Sequence, residues 1–214
     1  MRTLRSIFTV SFWTMIQSFL TLSTWFLFFL FVEHLGKEPL AVSNVVRSVS
    51  GFFYMIVAAF AATCGSLVSN LIGAGKTDAV LPTIRQHIRL CYLFVLGLGV
   101  LVAVFPTAVI SIYTNIPELQ AATVPSLLVL CTAYVFHVPG IIYFQSISGT
   151  GNTRMAFLLE VIVQVVYVAY CVVIINWLRA DVAVCWTTEH IYGLALLVFC
   201  SIYIHRGGWR GKAV

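Results

Sequence analysis

Glu160 stands inside an otherwise apolar stretch, with Gln164 four residues on and Tyr167 and Tyr170 beyond it. Residues four apart share a helix face, so a helix here presents a carboxylate, an amide and phenols as one polar stripe. An ionised side chain at the centre of a bilayer costs about 2.5–3.5 kcal/mol or more. Such a residue therefore faces other helices or water rather than lipid. A carboxylate in that setting binds a proton or a sodium ion, or it makes a structural hydrogen bond that ties its helix to a neighbour. Glu189 and His190 form a second ionisable step, expected near the outer interface, where water lowers their cost. Gln17, His137 and Gln145 are further polar groups within apolar runs and candidates for the wall of a cavity.

Enzymatic patterns are missing from the chain. There is no H-E-x-x-H, no G-x-S-x-G and no close pair of carboxylates in sequence. No catalytic residue is therefore assigned, and the few polar residues look thinly spread. The cysteines (Cys64, Cys91, Cys131, Cys171, Cys185 and Cys200) lie in or beside apolar stretches without C-x-x-C spacing. They read as small buried hydrophobes rather than metal ligands or a disulfide framework. Gly75, Lys76 and Thr77 imitate the end of a P-loop, but Asn70 occupies the first glycine position and an apolar span precedes the motif. Gly149 and Gly151 are followed by Arg154 where a dinucleotide fingerprint needs its third glycine.

The elements that must carry these residues follow from composition. Of 214 residues, 61% are hydrophobic and 9% charged, against about 25% charged in an ordinary soluble domain. Surface-to-volume scaling leaves a small soluble domain no means of hiding so much apolar surface, so lipid must act as solvent. Runs of about 20 apolar residues lie at 7–32, 49–72, 90–113, 124–148, 155–178 and 183–204. They are too long and too uniformly apolar for barrel strands, and backbone groups in lipid need internal partners. The expected fold is all-α, a single bundle of six transmembrane helices. The first run is too long for the h-region of a cleaved signal peptide.

Six spans put both termini on one side. That side carries Arg2, Arg5, Lys76, Arg85, Arg89, Arg154, Arg206, Arg210 and Lys212, while Lys37, Arg179 and Arg47 fall on the other. The positive-inside rule makes the richer side cytoplasmic. The same scatter of basic residues argues against nucleic acid as a partner. Arg47 is expected to snorkel to the outer interface.

Two turns on the cytoplasmic side share the pattern G-x-G-x-T: Gly73, Gly75 and Thr77, then Gly149, Gly151 and Thr153. Glycine just past a helix end can take the left-handed conformation that stops it, and threonine suits the N-cap of the next helix. Gly65, Ser69 and Gly73 recur at four-residue spacing, which permits close helix approach in lipid. Pro139 and Gly140 follow His137, and proline removes a backbone donor, so a kink is expected there.

Residues 67–76, the Gly149-to-Arg154 turn, and the stretch from Trp186 through Tyr192 to Trp209 together resemble the multidrug and toxic compound extrusion (MATE) transporters. Their order and the six-span layout extend the likeness over essentially the whole chain. The resemblance implies a secondary antiporter of the bacterial inner membrane that exports small organic compounds in exchange for Na+ or H+ and needs no cofactor. It implies twelve spans in two lobes, of which this chain is similar to the C-terminal one. The partner is then an N-terminal lobe or a second copy of the chain; a non-transporting membrane scaffold is the other alternative. Some members of that family carry coupling carboxylates in the first and fourth helices of the second lobe. Here the first span offers Gln17 and the fourth has no acid, so Glu160 rests on its own setting alone.

Overall fold

The computed structural model describes residues 2–210, with side chains placed from residue 11 onward. Lys212 lies outside the described residues, as do the side chains of Arg2 and Arg5. In chain order the helices are α1 (Arg2–Glu33), α2 (Lys37–Gly73), α3 (Val80–Val104), α4 (Pro106–Ile110), α5 (Pro117–Gly149), α6 (Thr153–Cys171), α7 (Val182–Cys185) and α8 (Thr188–His205). A 3-10 turn, Thr77–Ala79, leads into α3, and a π-helical segment, Val172–Trp177, continues α6. Six of these stretches are long and apolar enough to cross a membrane.

The helices run past the apolar stretches that announce them. α2 begins at Lys37 and carries Asn44, Arg47 and Ser48 within it. The helix hides Ser43 and Val46 and turns Arg47 outward, so one face tolerates polar groups that interrupt an apolar run. At the other limit, the third stretch ends at Val104, because Pro106 cannot donate to the helix and instead starts α4 at its N1 position.

α5 is the hub. It packs against α2 and α8 along much of its length and also touches α3. Leu127, Leu130, Val138, Ile142 and Ile147 on α5 are almost fully buried. Outward-facing Phe19, Met55, Leu93, Val100 and Val104 remain exposed, as suits a molecule whose solvent on those faces is hydrocarbon. Phe28 packs edge-on against Trp186 at 5.3 Å between ring centroids, and the Trp186 indole donates to Ser43 Oγ at 3.2 Å. This contact joins α1, α2 and the α7–α8 junction.

Pro139 does not interrupt α5. Its missing N–H frees the carbonyl one turn back, at Val135, and the Tyr92 hydroxyl of α3 donates to that oxygen. The neighbouring Gly140 acts in packing. A Cβ there would lie 2.9 Å from the Gly193 carbonyl oxygen and 3.2 Å from the Leu197 nitrogen, so two backbones meet at this crossing. The Gly65–Ser69–Gly73 stripe acts at one end only: Gly65 packs on Gly149 and on the Gln145 carbonyl, whereas Gly73 has open space where a Cβ would go.

Both G-x-G turns place their second glycine in the left-handed region, Gly75 at φ 73° and Gly151 at φ 81°. Gly73 and Gly149 are the last residues of their helices. The threonines do not cap. Asn152 is the N-cap of α6, its Oδ1 accepting from the Met155 nitrogen at 3.3 Å, and Thr153 is already inside the helix. Lys76 precedes the 3-10 turn without a side-chain cap.

Candidate cation and substrate cavity

α1 packs along α6 but meets α2 over a shorter length, which leaves a cavity of about 570 Å³ walled by α1, α2, α5, α6 and α8. Each helix contributes polar groups at helical spacing: Gln17 and Thr21 from α1, Glu160, Gln164 and Tyr167 from α6, Glu189 and Tyr192 from α8. Gln17, His137, Gln145, Glu160, Gln164 and Glu189 all line this one space. Residues scattered over most of the sequence are gathered at one site, contrary to their thin distribution along the chain.

Glu160 is 1% exposed. Its Oε1 accepts from Thr21 Oγ1 at 2.8 Å, from Gln164 Nε2 at 2.7 Å and from the Tyr192 hydroxyl at 3.2 Å. Three helices thus converge on one carboxylate oxygen. The second oxygen, Oε2, is buried and has no hydrogen-bond partner among the described residues. A buried polar atom left unpaired is costly, which makes this oxygen the open position of the site.

Glu189 is buried rather than bathed in water. It is 8% exposed and faces the bundle interior, because α7 and the start of α8 add two turns of helix before the charge-free part of this span begins. Its Oε1 accepts from the Tyr167 hydroxyl at 3.4 Å, and its Oε2 lies 3.4 Å from His137 Nε2. His137 Nε2 donates at 2.8 Å to the Glu189 backbone oxygen, which fixes the imidazole across the α5–α8 crossing. His190 turns away from the cavity and pairs with Thr132 at 2.9 Å. Tyr170 also leaves the polar stripe, meeting Thr187 at 3.0 Å.

Arg47 is exposed. It lies on the cavity wall with its guanidinium carbon 5.2 Å from the Phe29 ring centroid. Trp25, Tyr54 and Phe144 add aromatic surface to the same wall. Tyr134 donates to the Ser50 carbonyl oxygen at 3.0 Å and sits 5.2 Å from the His137 ring. Thr21 and Tyr192 carry much of the chemistry yet escaped the sequence reading. Thr21 follows Gln17 by one turn and Tyr192 follows Glu189 by three residues, so same-face spacing was the signal that could have found them. Among the described residues no group of three or more His, Cys, Asp or Glu side chains is placed to hold a metal ion.

The arrangement sets two carboxylates, backed by hydroxyls and an amide, in the same cavity as the aromatic faces of Trp25, Tyr54 and Phe144. Solved structures share the fold. A Vibrio cholerae MATE transporter, VcmN, superposes with a TM-score of 0.87 at 14% identity, over 97% of this chain and 48% of that one. A multidrug resistance MATE family transporter of the MOP superfamily in an outward-facing conformation gives 0.79 at 17% identity, over 95% and 46%. A Pyrococcus furiosus MOP superfamily transporter gives 0.79 at 16% identity, over 93% and 44%. In sequence, the "Probable multidrug resistance protein NorM" of Aromatoleum aromaticum is 24% identical over 145 residues, which is 68% of this chain and 31% of that protein. The chain thus spans about a third of that relative and about half of each solved transporter. A family model described as MatE matches residues 14–173, through five of the six spans, and the chain belongs to the MatE family.

Proposed function

We propose that this chain is the C-terminal six-helix lobe of a secondary antiporter of the bacterial inner membrane, with both termini in the cytoplasm, which exports small organic compounds in exchange for Na+ or H+. The observation that carries this reading is the cavity: a buried carboxylate with an open oxygen and an aromatic wall share one space within a membrane bundle. Membership of the MatE family and the half-length match to its solved transporters support it. Alternating access requires two lobes that rock around a central site, so the working unit pairs this bundle with an N-terminal lobe or a second copy.

Ethidium retention in cells that lack their own efflux pumps tests the reading. The chain paired with a partner lobe should lower dye retention, and Glu160→Gln should restore it. Unchanged retention with every partner, or full efflux by Glu160→Gln, overturns it. A periplasm-active reporter fused after Val214 should stay silent; activity there overturns the orientation.

A further inference from the structure

The two carboxylates are bridged in a reciprocal pattern. α6 supplies Glu160 and, seven residues on, Tyr167; α8 supplies Glu189 and, three residues on, Tyr192. Each tyrosine donates to the acid of the other helix, Tyr192 to Glu160 at 3.2 Å and Tyr167 to Glu189 at 3.4 Å. The two rings meet edge-on, with centroids 5.9 Å apart. A change in charge at either acid therefore acts on a phenol rooted beside the other one. His137 extends the chain, lying 3.4 Å from Glu189 Oε2 and 5.6 Å from the Tyr192 ring.

We infer that Glu160 and Glu189, joined through Tyr192 and Tyr167, form a single site for one monovalent cation, H+ or Na+, rather than one coupling acid and one structural acid. This rests on the transport reading above and deepens it. The unpartnered, buried Oε2 of Glu160 is the position the cation completes. Among the described residues no hydrogen bond is common to both acids; what links them is the edge-on contact of the two phenol rings, each bonded to the acid of the other helix, and groups in contact couple whereas distant ones behave independently.

The other titratable groups packed around the pair are few enough to name. α5 contributes His137 and Tyr134, α2 contributes Arg47 and Tyr54 across the cavity, α6 contributes Cys171 beside Tyr167 and Glu189, and α8 contributes Cys200 beside Glu160 and His190 near His137. The cavity-lining residues of α1 (Thr14, Gln17, Ser18, Thr21, Leu22 and Trp25) carry no charge. Arg47 is the one fixed positive charge on the wall, so a bound cation must be held by the two acids against it. With both acids ionised, Glu160, Glu189 and Arg47 together give the described cavity wall a net negative charge, which favours a cation.

The test is a double-mutant cycle on cation-dependent thermal stability of the full chain in lipid nanodiscs. A cation at free concentration c that binds only the folded state stabilises it by RT ln(1 + c/Kd), so the melting midpoint rises with cation concentration above Kd. Na+ is varied at fixed pH with choline as replacement, and pH is varied without Na+, so the two arms separate the ions. One arm should stabilise the wild type. Glu160→Gln and Glu189→Gln should each abolish that rise, and the double variant should lose no more than either single one. Tyr192→Phe and Tyr167→Phe keep both rings in place and should weaken apparent cation affinity roughly tenfold, the scale of one hydrogen bond to a charged group. Additive losses, a full response in Glu189→Gln, or no wild-type response to either ion overturns the inference. Cation binding without dye export refutes the transport reading alone; export that needs Glu160 but not Glu189 refutes only the paired site.

Discussion

Replacing Gly193 by alanine probes whether the α5–α8 crossing sets the geometry of the cavity. A Cβ at this position overlaps His137 Cδ2 and lies 3.0 Å from the His137 backbone nitrogen and 3.1 Å from Phe136 Cβ. The last two atoms belong to the helix itself and cannot swing aside, so the helices must part by a few tenths of an ångström. Overpacking of this kind costs about 1–3 kcal/mol. Parting also stretches the buried bond from His137 to the Glu189 carbonyl, a further loss of about 0.5–1.5 kcal/mol. Against this, alanine gains about 0.8–1.0 kcal/mol over glycine within a helix. The net expectation is a loss of about 0.5–3.7 kcal/mol. Equilibrium unfolding in mixed micelles, followed by tryptophan fluorescence, measures it. Gly97→Ala on α3 is the control: nothing lies within 4 Å of its added Cβ, so only the helix-propensity gain remains. If Gly193→Ala proves as stable as Gly97→Ala, the crossing is looser than these contacts imply and the argument fails.

Three other substitutions separate the interactions described above. Asn152→Ala removes the α6 cap and the 2.8 Å bond to Tyr203, and should lower stability by about 0.5–2 kcal/mol; Asn152→Asp keeps the cap and should recover part of that in the same unfolding assay. Tyr92→Phe leaves the carbonyl freed by Pro139 without its donor and should cost about 1 kcal/mol, whereas Tyr92→Phe combined with Pro139→Ala should cost less, because the helix then supplies its own N–H. Arg210→Ala breaks the exposed 3.8 Å contact with Asp78 and the packing of its guanidinium over Trp209, 5.5 Å from the ring centroid, and should lower stability by no more than about 1 kcal/mol, as exposed ion pairs and cation–π contacts do; a larger drop would show that the basic tail is docked by more than these contacts.

The limits of reading this molecule from its sequence follow from which physical signals are local. The all-α bundle was legible because lipid imposes one solution on long apolar runs. Left-handed glycines at Gly75 and Gly151 were legible because a helix stop acts within a few residues. The α6 cap was misplaced by one residue, since Asn152 and Thr153 are chemically similar caps and only geometry chooses between them. The burial of Glu189 was less legible. Glu189 read as interfacial because the charge-free run begins after it, and Arg47 read the same way because it precedes one. Both assignments assume that a helix begins where its apolar run begins. Here Val182 starts the last span seven residues before Glu189, so helical rise of about 1.5 Å per residue carries that carboxylate past the helix start and into the bundle, whereas Arg47 stays exposed. A membrane helix tolerates such charges when their face meets a cavity, and that is a tertiary fact. The same reasoning explains why neither Tyr192 nor Gly193 read as a site residue. One matters through an acid 32 residues away on α6, and the other through an imidazole on α5. Neither partner is visible from the local sequence. What the sequence does carry is the spacing that places Glu189 and Tyr192 on one face, and Glu160 and Tyr167 on another. Two such acid–tyrosine faces in adjacent spans become a bridged pair only when the helices pack with those faces together, as α6 and α8 do.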